Sequence, residues 1–103
     1  MDELLTFRQK INDTDATLLA AFEERMRISR EIGALKSREG MPVRHPERER
    51  DVIESRVSSL RDPSLADAAE RLFRLLIDLS CETQEQVIRA GDDTAETTGN
   101  GEV

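Results

Sequence analysis

Apolar residues recur along the first third of the chain with a seven-residue period. One column runs Leu4, Ile11, Leu18, Arg25, Ile32, and its companion runs Phe7, Thr14, Ala21, Ile28, Leu35. Two such columns predict one long helix with an apolar seam. It extends from about Asp2 to Arg38, a stretch with no proline and Gly33 as its single glycine. The segment SREGMPVRHPERE ends it, with Gly40 suited to a helix C-cap and two prolines following. A second helix enters at His45-Pro46, with Pro46 in its first turn and Glu47 and Glu49 favourable to its dipole. It carries Val52, Ile53, Val57 and Leu60. Asp62-Pro63-Ser64 forms a turn, and Ser64 is the expected N-cap of a third helix. Leu65, Ala69, Leu72, Phe73, Leu76, Ile77, Val87 and Ile88 give that helix an apolar stripe to about Ala90. The fold class is therefore all-α, a three-helix chain with a very long first helix and no convincing strand.

The first helix is too long for one small domain. At about 1.5 Å per residue, Asp2 to Arg38 spans roughly 54 Å. A compact chain of this size has a radius of gyration of about 13 Å. Yet the apolar seam persists at both ends, so either a second copy covers it or a hinge folds the helix back. The homodimer is the more economical of the two.

Charge breaks the seam at Arg25, where a guanidinium needs an anionic partner, a carboxylate of the protein or of a ligand. Polar residues also fall on the apolar stripes of the other helices. Glu49 aligns with Ile53, Val57 and Leu60; Ser80 and Gln84 align with Phe73, Ile77 and Ile88. Lys36 lies almost three turns after Arg25 and projects to the same side, about 16 Å further on. Each residue alone has a structural explanation: Glu49 pairing with Arg25, Ser80 bonding to its own helix, Lys36 answering the helix dipole. Converging in a small core, they suit a pocket for a small dianion better. Arg8 precedes Arg25 by about 25 Å of helix, so the two meet on one ligand only if Arg8 comes from an antiparallel partner.

Composition narrows the chemistry. The chain has 103 residues, 37% of them hydrophobic, enough for one modest core. A net charge of −7, no Trp, no Tyr and three Phe argue against nucleic acid. No apolar run approaches the roughly 20 residues that span a bilayer, and MDELLTFRQK does not resemble a signal peptide. One Cys and one His make a conventional metal site improbable, and the lone Cys81 fits a reducing, cytoplasmic setting. No cofactor is expected. Residues 1–90 read as one helical domain. Residues 91–103, with four acids, no base and three threonines, read as an acidic disordered tail.

The runs FRQKINDTDATLLAAFEERMRISREIGALK, MPVRHPERE and LFRLLIDLSCETQ resemble the all-helical, AroQ-type chorismate mutases. The resemblance covers about residues 3–90, and the spacing of Glu24-Arg25, Glu31-Ile32-Gly33, Lys36, Arg48-Glu49, Ser80 and Gln84 carries it. It implies an intertwined homodimer of three-helix chains that rearranges chorismate to prephenate. It further implies that Arg25 and the partner's Arg8 hold the substrate carboxylates. Lys36 would contact a carboxylate and the ether oxygen, and Gln84 would donate to that oxygen from the other side. Glu49 would accept from the C4 hydroxyl, with Arg48 and Ser80 completing the wall. Well-known members carry Asp where this chain has His45, which leaves the C4 substituent open. His45 is expected to face solvent at the helix start. Relatives on the scaffold rearrange 4-amino-4-deoxychorismate or eliminate pyruvate from isochorismate; the aminated substrate is the main alternative, and a non-catalytic dimerisation module is another.

Overall fold

A computed structural model describes the backbone of residues 2–102 and the side chains of residues 2–92. Helix α1 spans Glu3–Glu39, α2 spans Pro46–Ser58 and α3 spans Ala66–Glu102, with a 3-10 turn at Pro63–Leu65. No strand occurs among the described residues. No helix there is long and apolar enough to cross a membrane. The third helix, expected to end near Ala90, continues in its backbone to Glu102, and the side chains of the expected acidic tail beyond Asp92 lie outside the described residues.

Local chemistry sets the helix ends. Gly40 takes a left-handed conformation, φ 65°, and the Met41 N–H donates to Lys36 O at 2.9 Å. That geometry closes α1 and favours glycine, which has no Cβ to clash. At α2, the His45 side chain is the N-cap: Nδ1 accepts from the Arg48 N–H at 3.2 Å. Glu49 reciprocates, Oε2 accepting from the His45 N–H at 3.0 Å. The pair works like a capping box, with histidine in the place usually held by Ser or Thr. The cap before α3 differs from expectation. Asp62, not Ser64, is the acceptor, taking the Ser64 N–H at 3.0 Å and the Ser64 hydroxyl at 2.6 Å. Pro63 lacks an N–H, so the first donor that the Asp62 carboxylate can reach is that of Ser64.

Helix α3 is the central element, and both α1 and α2 pack on it. Val52, Ile53, Ile77 and Cys81 form the buried cluster, with Val43, Val57 and Phe73 packed against it. Helix α1 meets α3 through Met26, Ser29 and Gly33. A Cβ built at Gly33 would lie 2.9 Å from the Gln84 Cα, so the two backbones approach where only glycine fits.

The apolar seam of α1 is therefore not what packs inside the chain. Ile28, Ile32 and Leu35 stay 38–43% exposed. The intrachain contact uses the adjacent stripe of Met26, Ser29 and Gly33 instead. Residues 3–21 are exposed throughout, including Leu4, Phe7, Ile11 and Leu18. Helix α1 is continuous, so no hinge folds it back over its own chain.

Candidate functional site

A cleft of about 620 Å³ lies between α1 and α2, with α3 as its floor. Six of the seven expected site residues line it: Arg25, Lys36, Arg48, Glu49, Ser80 and Gln84. Arg8 does not. It sits on the exposed N-terminal half of α1, away from this cleft.

The floor and one wall form a connected hydrogen-bond system. Arg25 is half-buried; its Nη1 donates to Leu76 O at 3.2 Å and to the buried Ser80 hydroxyl. Burial, and then the neighbouring Arg56 charge, push the Arg25 guanidinium below its ordinary value. An arginine nonetheless keeps its charge at any working pH. Lys36 Nζ donates to Val43 O at 2.7 Å and to Gln84 Oε1 at 2.8 Å. An ammonium has no lone pair, so the Gln84 amide must turn its oxygen to Lys36. Its NH₂ then remains to donate elsewhere. Gln84 is 6% exposed, so this orientation is fixed by packing as well as by the lysine.

Glu49 is engaged at both oxygens. Arg44 Nη2 donates to Oε1 at 2.7 Å, and the His45 N–H holds Oε2. The same Arg44 nitrogen reaches Asp78 Oδ1 at 3.1 Å, tying the start of α2 to α3. His45 is exposed, as expected, but its ring also lines the cleft mouth. With Nδ1 accepting from Arg48, a neutral ring carries its proton on Nε2.

Sequence reasoning missed four residues here. Ser29 is buried and lines the cleft one turn after Arg25; extending the Arg25 stripe by four residues would have found it. Gly33, one turn further on, is a mid-helix glycine, a signal of close backbone approach. Arg56 lines the cleft two turns after Arg48 on one face of α2. Arg44 acts only through tertiary contacts and leaves no periodic trace. Cys81 also lines the cleft, but burial pushes its thiol up from the ordinary value, which leaves little thiolate for nucleophilic work. Among the described residues, no cluster of three or more His, Cys, Asp or Glu is arranged to hold a metal ion.

The cleft gathers Arg25, Lys36, Arg48 and Arg56 against the single carboxylate of Glu49, a lining suited to a small anion. The profile of the chorismate mutase type II family matches residues 7–85, and the chain belongs to that family. It is 39% identical over 88 residues to the bifunctional chorismate mutase/prephenate dehydratase of Escherichia coli (strain K12), covering 84% of this chain and 22% of that protein. The corresponding bifunctional protein of Aquifex aeolicus (strain VF5) is 37% identical over 54 residues, 52% of this chain and 15% of that protein. The chain thus spans about a fifth of the length of the bifunctional relatives it matches. The chorismate mutase of Methanocaldococcus jannaschii is 26% identical over 90 residues, covering 85% of this chain and 90% of that protein.

Proposed function

We propose that this chain is a chorismate mutase, catalysing the intramolecular rearrangement of chorismate to prephenate in aromatic amino acid biosynthesis. The observation that carries the reading is the Lys36–Gln84 pair, 2.8 Å apart, in a cleft that also gathers Arg25, Arg48, Glu49 and Ser80. The reaction is unimolecular and pericyclic, so it needs no nucleophile, metal or cofactor. What it needs is a held conformer in which the breaking C–O bond and the forming C–C bond are aligned. Arg25 and the partner's Arg8 hold the substrate carboxylates, with Arg48 and Ser80 completing the wall. Lys36 and the Gln84 NH₂ group stabilise the negative charge that grows on the ether oxygen as the C–O bond breaks.

The active unit is a homodimer in the cytoplasm. Two α1 helices lie antiparallel along their exposed seams, and each delivers Arg8 to the other chain's cleft. The support is the uncovered face of residues 3–21 together with the position of Arg8 on it.

Glu49 bears on the choice of substrate. Both its oxygens are already held by Arg44 and the His45 N–H, so its charge is largely answered within the protein. It can still accept from a hydroxyl, but it is a poor counter-ion for an ammonium. The C4 hydroxyl is favoured over the C4 amine of 4-amino-4-deoxychorismate.

The test is to incubate the protein separately with chorismate, 4-amino-4-deoxychorismate and isochorismate, following substrate absorbance and identifying products. Prephenate from chorismate is the expected result. Turnover of none of the three, by a folded dimer, would leave only the non-catalytic dimerisation module.

A further inference from the structure

Arg56 has no role in the set derived above, yet it lines the cleft. It lies on α2 two turns beyond Arg48, with Val52 between them on the same face, about 12 Å along the axis. The link 40–45 joins α1 to α2 over the shared α3, so Lys36 and Arg48 flank that link. Arg25 and Arg56 lie several turns away from it, at the far end. The cleft is thus cationic at both ends, with four basic side chains against the single carboxylate of Glu49. That carboxylate is held by Arg44 near the link, leaving the far end without an acid.

The far pair has no anionic partner among the described residues. Arg25 donates to a carbonyl and a hydroxyl, Leu76 O and Ser80 Oγ. Arg56 reaches only its neighbour Ser55 Oγ, at 3.3 Å. The Arg56 charge works against protonation of Arg25 after burial has done so, which places the two cations within electrostatic reach. Two guanidiniums facing one cleft repel each other until an anion sits between them. Position in the last turn of α2, where a cation answers the helix dipole, accounts for a base at residue 56 but not for its place in the cleft wall.

We infer that Arg56 is a substrate-binding residue: with Arg25 it clamps one carboxylate of a dicarboxylate substrate, at the cleft end opposite Lys36 and Arg48. The identity of the anion as chorismate rests on the proposed mutase reading; the clamp itself does not. A guanidinium fork gives two parallel donors to one carboxylate, which an amide or an ammonium cannot reproduce.

Two measurements decide it. In the first, chorismate kinetics compare the wild type with Arg56→Gln and Arg56→Lys. The clamp predicts a KM raised about tenfold in Arg56→Gln, with kcat nearly unchanged and Arg56→Lys between the two. A KM within twofold of wild type overturns it, whatever the melting temperature does, since a purely structural arginine would move stability alone. In the second, the arginine Nε–Hε resonances are followed during titration with succinate as a dicarboxylate probe. Arg25 and Arg56 are expected to shift together along one binding curve. If the wild type turns over no chorismate, the mutase reading fails and this titration alone judges the clamp: coupled shifts uphold it, and a silent Arg56 overturns it.

Discussion

The two halves of α1 carry the same apolar period and end in different surroundings. Residues 22–39 lie against α3, burying Met26, Ser29 and Gly33, and they present Arg25 and Lys36 to the cleft. Residues 3–21 touch no other helix closely enough to be covered, and Leu4, Phe7, Ile11 and Leu18 are 56–59% exposed. A helix of about five exposed turns bearing a continuous apolar face has little to stabilise it in water. One half is thus held by its own chain and builds a site, while the other leaves an apolar face uncovered, and under the proposed dimer that face meets a second chain and supplies Arg8.

The largest effect is expected from changes in the exposed half. Ile11→Glu combined with Leu18→Glu places charges in the seam, and we expect dissociation to monomers on sedimentation with loss of turnover by more than about 1,000-fold. A dimer with full activity would show that the exposed face has no such role.

Changes in the covered half, or in the α3 residue packed against it, should spare assembly and strike the chemistry. Lys36→Ala or Gln84→Ala is expected to leave a dimer of ordinary helicity while kcat falls on the order of 10²–10³, as for loss of one oxyanion donor. Gly33→Ala tests the packing beneath that pair. Its Cβ would press on the Gln84 backbone at 2.9 Å, so α1 and α3 must separate. A loss of about 1–3 kcal/mol in denaturant unfolding should follow, with a smaller fall in kcat as Gln84 moves. The least effect is expected from pH. Gln84 is a neutral donor at every working pH, so activity should stay flat from about pH 6 to 9. A steep acid-only optimum would remove Gln84 from the proposed role.

Much of this was legible in the sequence, for physical reasons that also explain the rest. The length of α1 and the Gly40 and Pro46 boundaries follow from periodicity and capping, which are local, whereas α3 runs past the Ala90 where its apolar stripe ends. Arg25, Glu49, Ser80 and Gln84 were visible because a polar residue on an apolar stripe stands out. Ser29 and Arg56 did not stand out: a serine in a helix is ordinary, and an arginine in a last turn has a ready explanation in the dipole. The face of α1 that packs on its own chain went unread because it uses the small and flexible side chains Met26, Ser29 and Gly33, which carry a weaker apolar signal than the seam beside them. Glu49's engagement by Arg44 and the histidine cap on α2 depend on how the 40–45 link folds, which no period encodes.

The central claim is that each site is completed across the dimer, and mixing two inactive variants tests it most directly. Arg8→Ala and Lys36→Ala are each expected to be nearly inactive alone. Unfolded together in equal amounts and refolded, half the dimers pair one chain of each kind, and each such dimer regains one intact site, giving about a quarter of wild-type activity. Recovery to that level is the predicted result; a mixture no more active than its two components would contradict the account.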